Sequence, residues 1–255
     1  MNKYLLLSFF YMFFCFNSIF SQASAGSKAR FESRFVIDMP NAGVLPKENY
    51  SLNSLVQPNG TTLFDISYAL FTNFNVGISY SANNLIGTGN IDFQKYPSLN
   101  LKYRLFDETL TIPALVLGFS NQGRGDFIKN LNRSQIISPG LYFAASKNYK
   151  WYIGFIALHA GINYSFDNGI DSKIVNAYFG LEQSLGSQFA VALEYNGNFN
   201  EKTSNISNGG LLNSAFRWSV SSNVTIELQL KDLLKSQKSN QDYIRAFGFE
   251  YIGRF

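Results

Sequence analysis

Cysteine, histidine and tryptophan are almost missing from this sequence, which holds one, one and two of them among 255 residues. The single cysteine, Cys15, sits inside an apolar run at the N-terminus. Beyond that run there is no thiol to close a disulfide or to assist a metal site. Phe14 precedes Cys15, where a lipoprotein signal needs a small residue, so lipidation is discounted. A lone histidine, His159, excludes histidine-rich metal sites. Any Ser–His hydrolase would have to be built on it alone. Charge of one sign is also scarce. The net charge is +4 and its positive residues are scattered, which excludes a nucleic-acid-binding stripe. The densest basic cluster, Lys231, Lys235 and Lys238, reads as a solvated loop, with anionic lipid headgroups as the sharper alternative. Long hydrophobic runs are missing after the N-terminus. The longest, Trp151 to Ile162, is interrupted by His159, whereas a membrane helix needs roughly 20 apolar residues.

What is abundant is aromatic: 25 Phe and 15 Tyr, at a mean hydropathy of −0.05. Alternating strands reconcile many aromatics with neutral hydropathy, because half of a strand's residues can be polar. Period two runs through segment after segment. Phe64, Ile66, Tyr68 and Leu70 oppose Asp65, Ser67 and Ala69. Leu99, Leu101, Tyr103 and Leu105 oppose Asn100, Lys102 and Arg104, and Val224, Ile226, Leu228 and Leu230 oppose Thr225, Glu227 and Gln229. The pattern predicts strands at 49–56, 62–70, 73–81, 97–106, 112–120, 139–146, 151–166, 175–185, 189–197, 211–220, 224–232 and 243–255. Only LKDLLKSQ (230–237) comes near a helical period, and it is long enough for one short turn.

The connections between these strands alternate in length. Segments 82–96, 121–138, 167–174, 198–210 and 233–242 are long and rich in Asn, Gly, Ser and Lys; segments 71–72, 107–111, 147–150, 186–188 and 221–223 are short. QPNGT (57–61) alone breaks the rule. Long loops on one rim and short turns on the other are the mark of a transmembrane barrel. The expectation is therefore an all-β fold, a transmembrane antiparallel up-and-down β-barrel of about 12 strands over residues 49–255.

The N-terminus supplies the compartment. Lys3, the apolar stretch Tyr4 to Phe20 and the small residues Ser21, Ala23 and Ala25 have the layout of a secretory signal peptide over residues 1–25. Residues 26–48 then read as an N-terminal periplasmic segment. The expected location is the outer membrane of a Gram-negative bacterium, reached after cleavage of the signal.

If the apolar face looks outward, the other parity lines the lumen. That set includes Asp65, Glu182, Glu194, Glu227 and Glu250, and also Lys102, Arg104, Arg217, Lys231 and Arg254. Charges on the lipid face would cost about 2–4 kcal/mol each near the midplane. Matched acids and bases either pair across a narrow lumen or line an aqueous one, and a barrel of twelve strands lies between the filled and the open sizes. The ending RAFGFEYIGRF places Phe247, Phe249, Tyr251 and Phe255 toward lipid, as a closing strand read by the barrel-assembly machinery. RGD at Arg124 to Asp126 reads as a glycine-flexed loop, and Gly87, Gly89, Gly209 and Gly210 read as loop glycines without the strand-turn-helix context of a phosphate cradle.

Four stretches together resemble the YjbH-like family of outer-membrane proteins, which is linked to exopolysaccharide production and export. They are IDMPNAGVLPKENYSL (37–52), LNLKYRLFDETLTIPALVLGFSNQGRGDF (99–127), SPGLYFAASKNYKWYIGFIALHAGINY (138–164) and ALEYNGNF (192–199). The resemblance carries over to Pro40, Lys102, Pro113, Gly118, Ser146, Lys147, Glu194, Tyr195 and Gly197, mostly as turn and packing positions, with Lys102 and Glu194 as lumen contacts. It implies a non-enzymatic barrel that assists polysaccharide secretion or surface assembly. The alternatives are a passive, porin-like channel for small solutes and, third, a lipid-modifying barrel enzyme. No catalytic, cofactor-binding or metal-binding residue is expected. The expected partners are outer-membrane lipid and lipopolysaccharide, the barrel-assembly machinery, and polysaccharide or export proteins, with no nucleic acid.

Overall fold

The computed structural model describes residues 32–151, 154–168, 174–201, 210–237 and 243–255. The segment read as a signal peptide lies outside the described residues.

Strands follow one another around a ring: β1 (Asn49–Val56), β2 (Thr62–Phe71), β3 (Phe74–Asn83), a two-residue β4 (Asp92–Phe93), β5 (Ser98–Phe106), β6 (Ala114–Ser120), a hairpin of β7 (Arg124–Ile128) and β8 (Arg133–Ile136), β9 (Gly140–Trp151), β10 (Gly154–Tyr164), β11 (Asn176–Leu185), β12 (Phe189–Asn196), β13 (Leu211–Ser219), β14 (Val224–Lys231) and β15 (Ile244–Arg254). Without β4, β7 and β8, the strands form a closed 12-strand antiparallel up-and-down barrel. Closure is made by β1 against β15, with Asn49 opposite Arg254 and Val56 opposite Phe247. A closed sheet leaves no unpaired edge, which is what a strand structure needs in hydrocarbon.

The outward face is apolar. Phe64, Ile66, Ile78, Leu99, Leu117, Leu141, Phe179, Leu193, Phe216, Leu228 and Phe247 are all exposed large hydrophobics on barrel strands. An apolar band on this scale is incompatible with a protein standing in water. Together with the closed sheet it makes the chain a membrane-embedded barrel. No helix among the described residues is long and apolar enough to cross a membrane.

The two rims differ as expected. Connections at 72–73, 107–113, 186–188 and 220–223 lie on one rim with both ends of the barrel, where the Phe255 N–H donates to Glu48 O at 3.1 Å. The longer connections lie on the other. Register shifts at Ala69/Phe71 and at Arg104/Phe106 place bulges close to the short-turn rim. Gly118 on β6 faces Tyr142 on β9, and a Cβ there would stand 2.2 Å from the tyrosine ring. The ring covers the glycine, a cross-strand packing that pins register. The stretch 230–237 holds a turn, closed by Lys235 N–H to Asp232 O at 2.9 Å, and no helix. Two segments read as plain connections carry strands: β4, paired with β3, and the hairpin β7–β8.

One expectation needs correction. Of the stretch read as a periplasmic segment (26–48), residues 34–45 lie inside the barrel. Val36, Ile37, Met39, Ala42, Val44 and Leu45 are buried there, and so are the polar Arg34, Asp38 and Asn41. Their polar partners, described next, sit on strands from opposite sides of the ring.

Candidate functional site

The plug is a hairpin. Val36 N–H donates to Met39 O at 2.8 Å, Asn41 N–H donates to Arg34 O at 3.2 Å, and Phe35 pairs with Pro40 as an antiparallel bridge. Its two legs stand near the short-turn end, where Arg104 meets both Glu32 and Ala42. Its tip points toward the long loops, where Asp38 meets Lys231 at the far end of β14.

The wall is shaped to receive it. Ile37 packs on Ala192 and Ala215, and Ala42 and Val44 pack on Ala114, Val116, Tyr142 and Ala144. On β11, a Cβ on Gly180 would stand 2.4 Å from Val36, so only a glycine leaves room for the plug at that point. Small residues at inward positions would leave voids in an empty lumen; the hairpin fills them.

Wall charges hold the plug's backbone. Lys102 Nζ donates to three plug carbonyls, Arg34 O at 2.6 Å, Asn41 O at 3.2 Å and Gly43 O at 3.1 Å. Arg104 donates to Ala42 O at 3.1 and 2.9 Å. Arg217 donates to Phe35 O at 3.2 Å and to Val36 O, while also pairing with Glu182 and Glu227. On the acidic side, the N–H groups of Ile37, Asp38 and Met39 converge on Glu194 Oε2 at 2.9, 2.9 and 2.8 Å. Successive N–H groups in a turn form a concavity for an anion, and the wall carboxylate occupies it. Side-chain pairs complete the lock. Lys231 meets Asp38 at 2.6 Å, Arg34 meets Glu250 and Ser51, and Tyr178 Oη donates to Pro40 O at 2.7 Å. Phe35 lies between two cations, with Lys102 Nζ 5.3 Å and Arg124 Cζ 5.1 Å from its ring centre.

Nine of the ten expected lumen charges are inward. Lys102, Arg104, Glu194, Arg217 and Lys231 are buried against the plug. Glu182, Glu227 and Glu250 pair with Arg217 or Arg34, and Asp65 accepts from Asn100 Nδ2 at 2.9 Å. Arg254 is the exception. It keeps the inward parity but lies past the end of the lumen, exposed at the short-turn rim and 3.3 Å from Glu48. Its hydrogen bond, with help from Lys47, holds the Glu48 carboxyl below the usual carboxylate range.

Of the aromatics assigned to the closing strand, Phe247, Phe249 and Phe255 are exposed and Tyr251 is half-buried. Tyr50 lies 4.8 Å from Phe255 and 6.1 Å from Tyr251 between ring centres, so the last residue joins an aromatic cluster at the rim.

His159 is buried in the lumen wall. Its Nδ1 is 2.8 Å from Ser146 Oγ, which also accepts the N–H of Ala42 at 3.0 Å. Its Nε2 has no hydrogen-bond partner among the described residues. A nucleophile–base pair needs an orienting group on the second ring nitrogen and open space at the hydroxyl; this one has the plug across it and pins Ala42 instead.

The other end of the lumen is covered by the β7–β8 hairpin. Arg124 reaches down to within 3.7 Å of Asp38, and Gly125 N–H donates to Gln57 Oε1 at 3.0 Å. Asp126 accepts from Asn59 Nδ2 at 2.8 Å and from Thr61. Arg133 and Glu201 form a buried pair at 2.7 Å. The RGD tripeptide is thus turned inward. A cavity of about 100 Å³ remains in the lumen beside the plug, lined by Arg34, Asp65, Arg217, Glu227 and Glu250 among others. Among the described residues, no cluster of metal-ligating side chains occurs.

These features define a membrane-embedded β-barrel closed from one end by its own N-terminal hairpin and from the other by a loop hairpin. No family model matches the chain. No curated protein matches it either. Among solved structures, one described as "Unveiling the Mechanism Behind the in-meso Crystallization of Membrane Proteins" is similar over 81% of this chain and 84% of that chain, with 10% identity and a TM-score of 0.41. The assignment to the membrane rests on the closed sheet and its apolar outer face.

Proposed function

We propose that this chain is a barrel of the Gram-negative outer membrane, exported by a cleaved signal at residues 1–25 and inserted by the barrel-assembly machinery through its closing strand. Its lumen rests closed, and it assists polysaccharide secretion or surface assembly without catalysing a reaction. The observation that carries the reading is the occluded lumen: Lys102, Arg104, Glu194 and Arg217 each make hydrogen bonds to plug backbone. A closed barrel does its work at its rims, on lipid, lipopolysaccharide, polysaccharide or other export proteins. The polysaccharide role is supported by the resemblance of 37–52, 99–127, 138–164 and 192–199 to the YjbH-like family.

The test is genetic. A strain lacking the gene is expected to lose much of its cell-bound or secreted polysaccharide, with recovery by the intact chain and by His159→Ala. Unchanged polysaccharide in the deletion strain would sink the reading. Recovery by the intact chain but not by a stably inserted His159→Ala would return the enzyme alternative.

A porin-like channel is the second reading. The cavity of about 100 Å³ beside the plug favours it, because polar space already runs along part of the lumen. It requires the hairpin to leave.

A further inference from the structure

Above the plug tip, at the long-loop rim, the barrel edge and the β7–β8 hairpin enclose a vestibule of about 520 Å³. That is within the size range of small-molecule sites. Its polar lining is mostly amide: Gln57, Asn59, Gln135 and Gln237. The structure commits part of the Gln57, Asn59 and Gln237 amides and leaves the rest. Gln57 Oε1 accepts the Gly125 N–H, so its Nε2 is left to donate, with no partner among the described residues. Asn59 Nδ2 donates to Asp126, so its Oδ1 is left to accept. Gln237 Oε1 accepts from Gln135 at 3.0 Å, and Gln237 Nε2 is buried with no acceptor among the described residues. Ile128, Ile136 and Ile244 form an aliphatic flank.

Charge narrows the ligand. Lys231 lines the vestibule, but its ammonium is bound to Asp38 at 2.6 Å. Asp126 lines it too, and no cation stands against its carboxylate among the described residues. The site therefore has spare amide donors and acceptors, an apolar side and, in Asp126, a carboxylate at its wall. Hydroxyl groups both donate and accept, and a sugar ring presents C–H faces between them. We propose that this vestibule binds a neutral saccharide and rejects acidic sugars. The inference rests on the reading of a barrel that acts at its rim, and it names the site.

The experiment uses the full chain refolded in a detergent without a sugar headgroup. Cellobiose, maltose, N-acetylglucosamine and glucuronate are titrated by saturation-transfer NMR. At least one neutral sugar gives a saturable signal, and glucuronate binds more weakly. Gln57→Glu keeps the acceptor for Gly125 and removes the donor, so it weakens binding about tenfold, as the loss of one hydrogen bond should. Gln237→Leu does the same. Heat-modifiable gel mobility confirms that both variants hold the barrel. Three silent neutral sugars overturn the proposal, as does binding that neither variant changes or glucuronate binding as tight as the neutral sugars. Failure here leaves the polysaccharide phenotype of the deletion strain as a separate result. A deletion strain without phenotype removes the biological role but not a measured sugar affinity.

Discussion

Lys102→Met should loosen the plug without unfolding the barrel. The lysine supplies the donors for three plug carbonyls, at 2.6, 3.2 and 3.1 Å, and methionine supplies none. A buried carbonyl left without a donor costs about 1–3 kcal/mol. Arg34 O keeps the Asn41 N–H, so Asn41 O and Gly43 O are the two left without a donor. Taking roughly 1.5 kcal/mol each, because removing a buried ammonium also relieves its desolvation, the docked hairpin loses about 3 kcal/mol. That corresponds to roughly a 100-fold rise in the undocked population. A cysteine placed at Val36, which is fully buried against Gly180, reports the change by its rate of maleimide labelling. The native Cys15 is replaced by serine so that the probe is single. Labelling should be slow in the parent and roughly 100-fold faster with Lys102→Met, with heat-modifiable gel mobility unchanged. Rates within about threefold of each other would refute the idea that Lys102 carries the dock.

Other perturbations test different parts of the structure. Arg217→Met leaves Glu182 and Glu227 without their shared cation, an uncompensated buried pair worth about 3–5 kcal/mol, and should lower the urea midpoint of the folded barrel. Gly118→Val drives a side chain into the Tyr142 ring at 2.2 Å and should cut the folded fraction on gels, whereas Gly118→Ala should cut it less. Gly180→Leu should push the plug off β11 and speed labelling of the cysteine placed at Val36 while the barrel still closes, because the three atoms nearest a Cβ there all belong to the plug. Phe255→Ser removes a ring from the Tyr50 cluster and should slow membrane assembly in cells more than it lowers the stability of the refolded protein.

The barrel was legible because its signals are redundant. Period-two alternation in Phe64–Leu70 and Leu99–Leu105 fixes which face meets lipid, and loop lengths fix the rims without any tertiary information. Charge parity then placed nine of ten lumen residues, since a charge facing lipid is expensive. Arg254 was misplaced because parity says which way a residue points, not whether the lumen still exists at that height. The plug was harder to see. Residues 34–45 have no alternation, and the turn-rich IDMPNAG looks like any linker. A signal was nevertheless present on the wall. Ala114, Ala144, Ala192, Ala215 and Gly180 are small at inward positions, and long cations Lys102, Arg104 and Arg217 reach across the lumen. A wall of small residues and extended cations asks for backbone to fill it and accept from it. The β7–β8 hairpin escaped because strands of five and four residues around a glycine are too short for periodicity to register.

The central claim is that the chain's own N-terminal hairpin closes the lumen. Ion conductance across a planar bilayer tests it, comparing the intact refolded chain with one lacking residues 32–45. The account predicts silence from the intact chain and stable open steps after the deletion. Equal open steps from both proteins would contradict it.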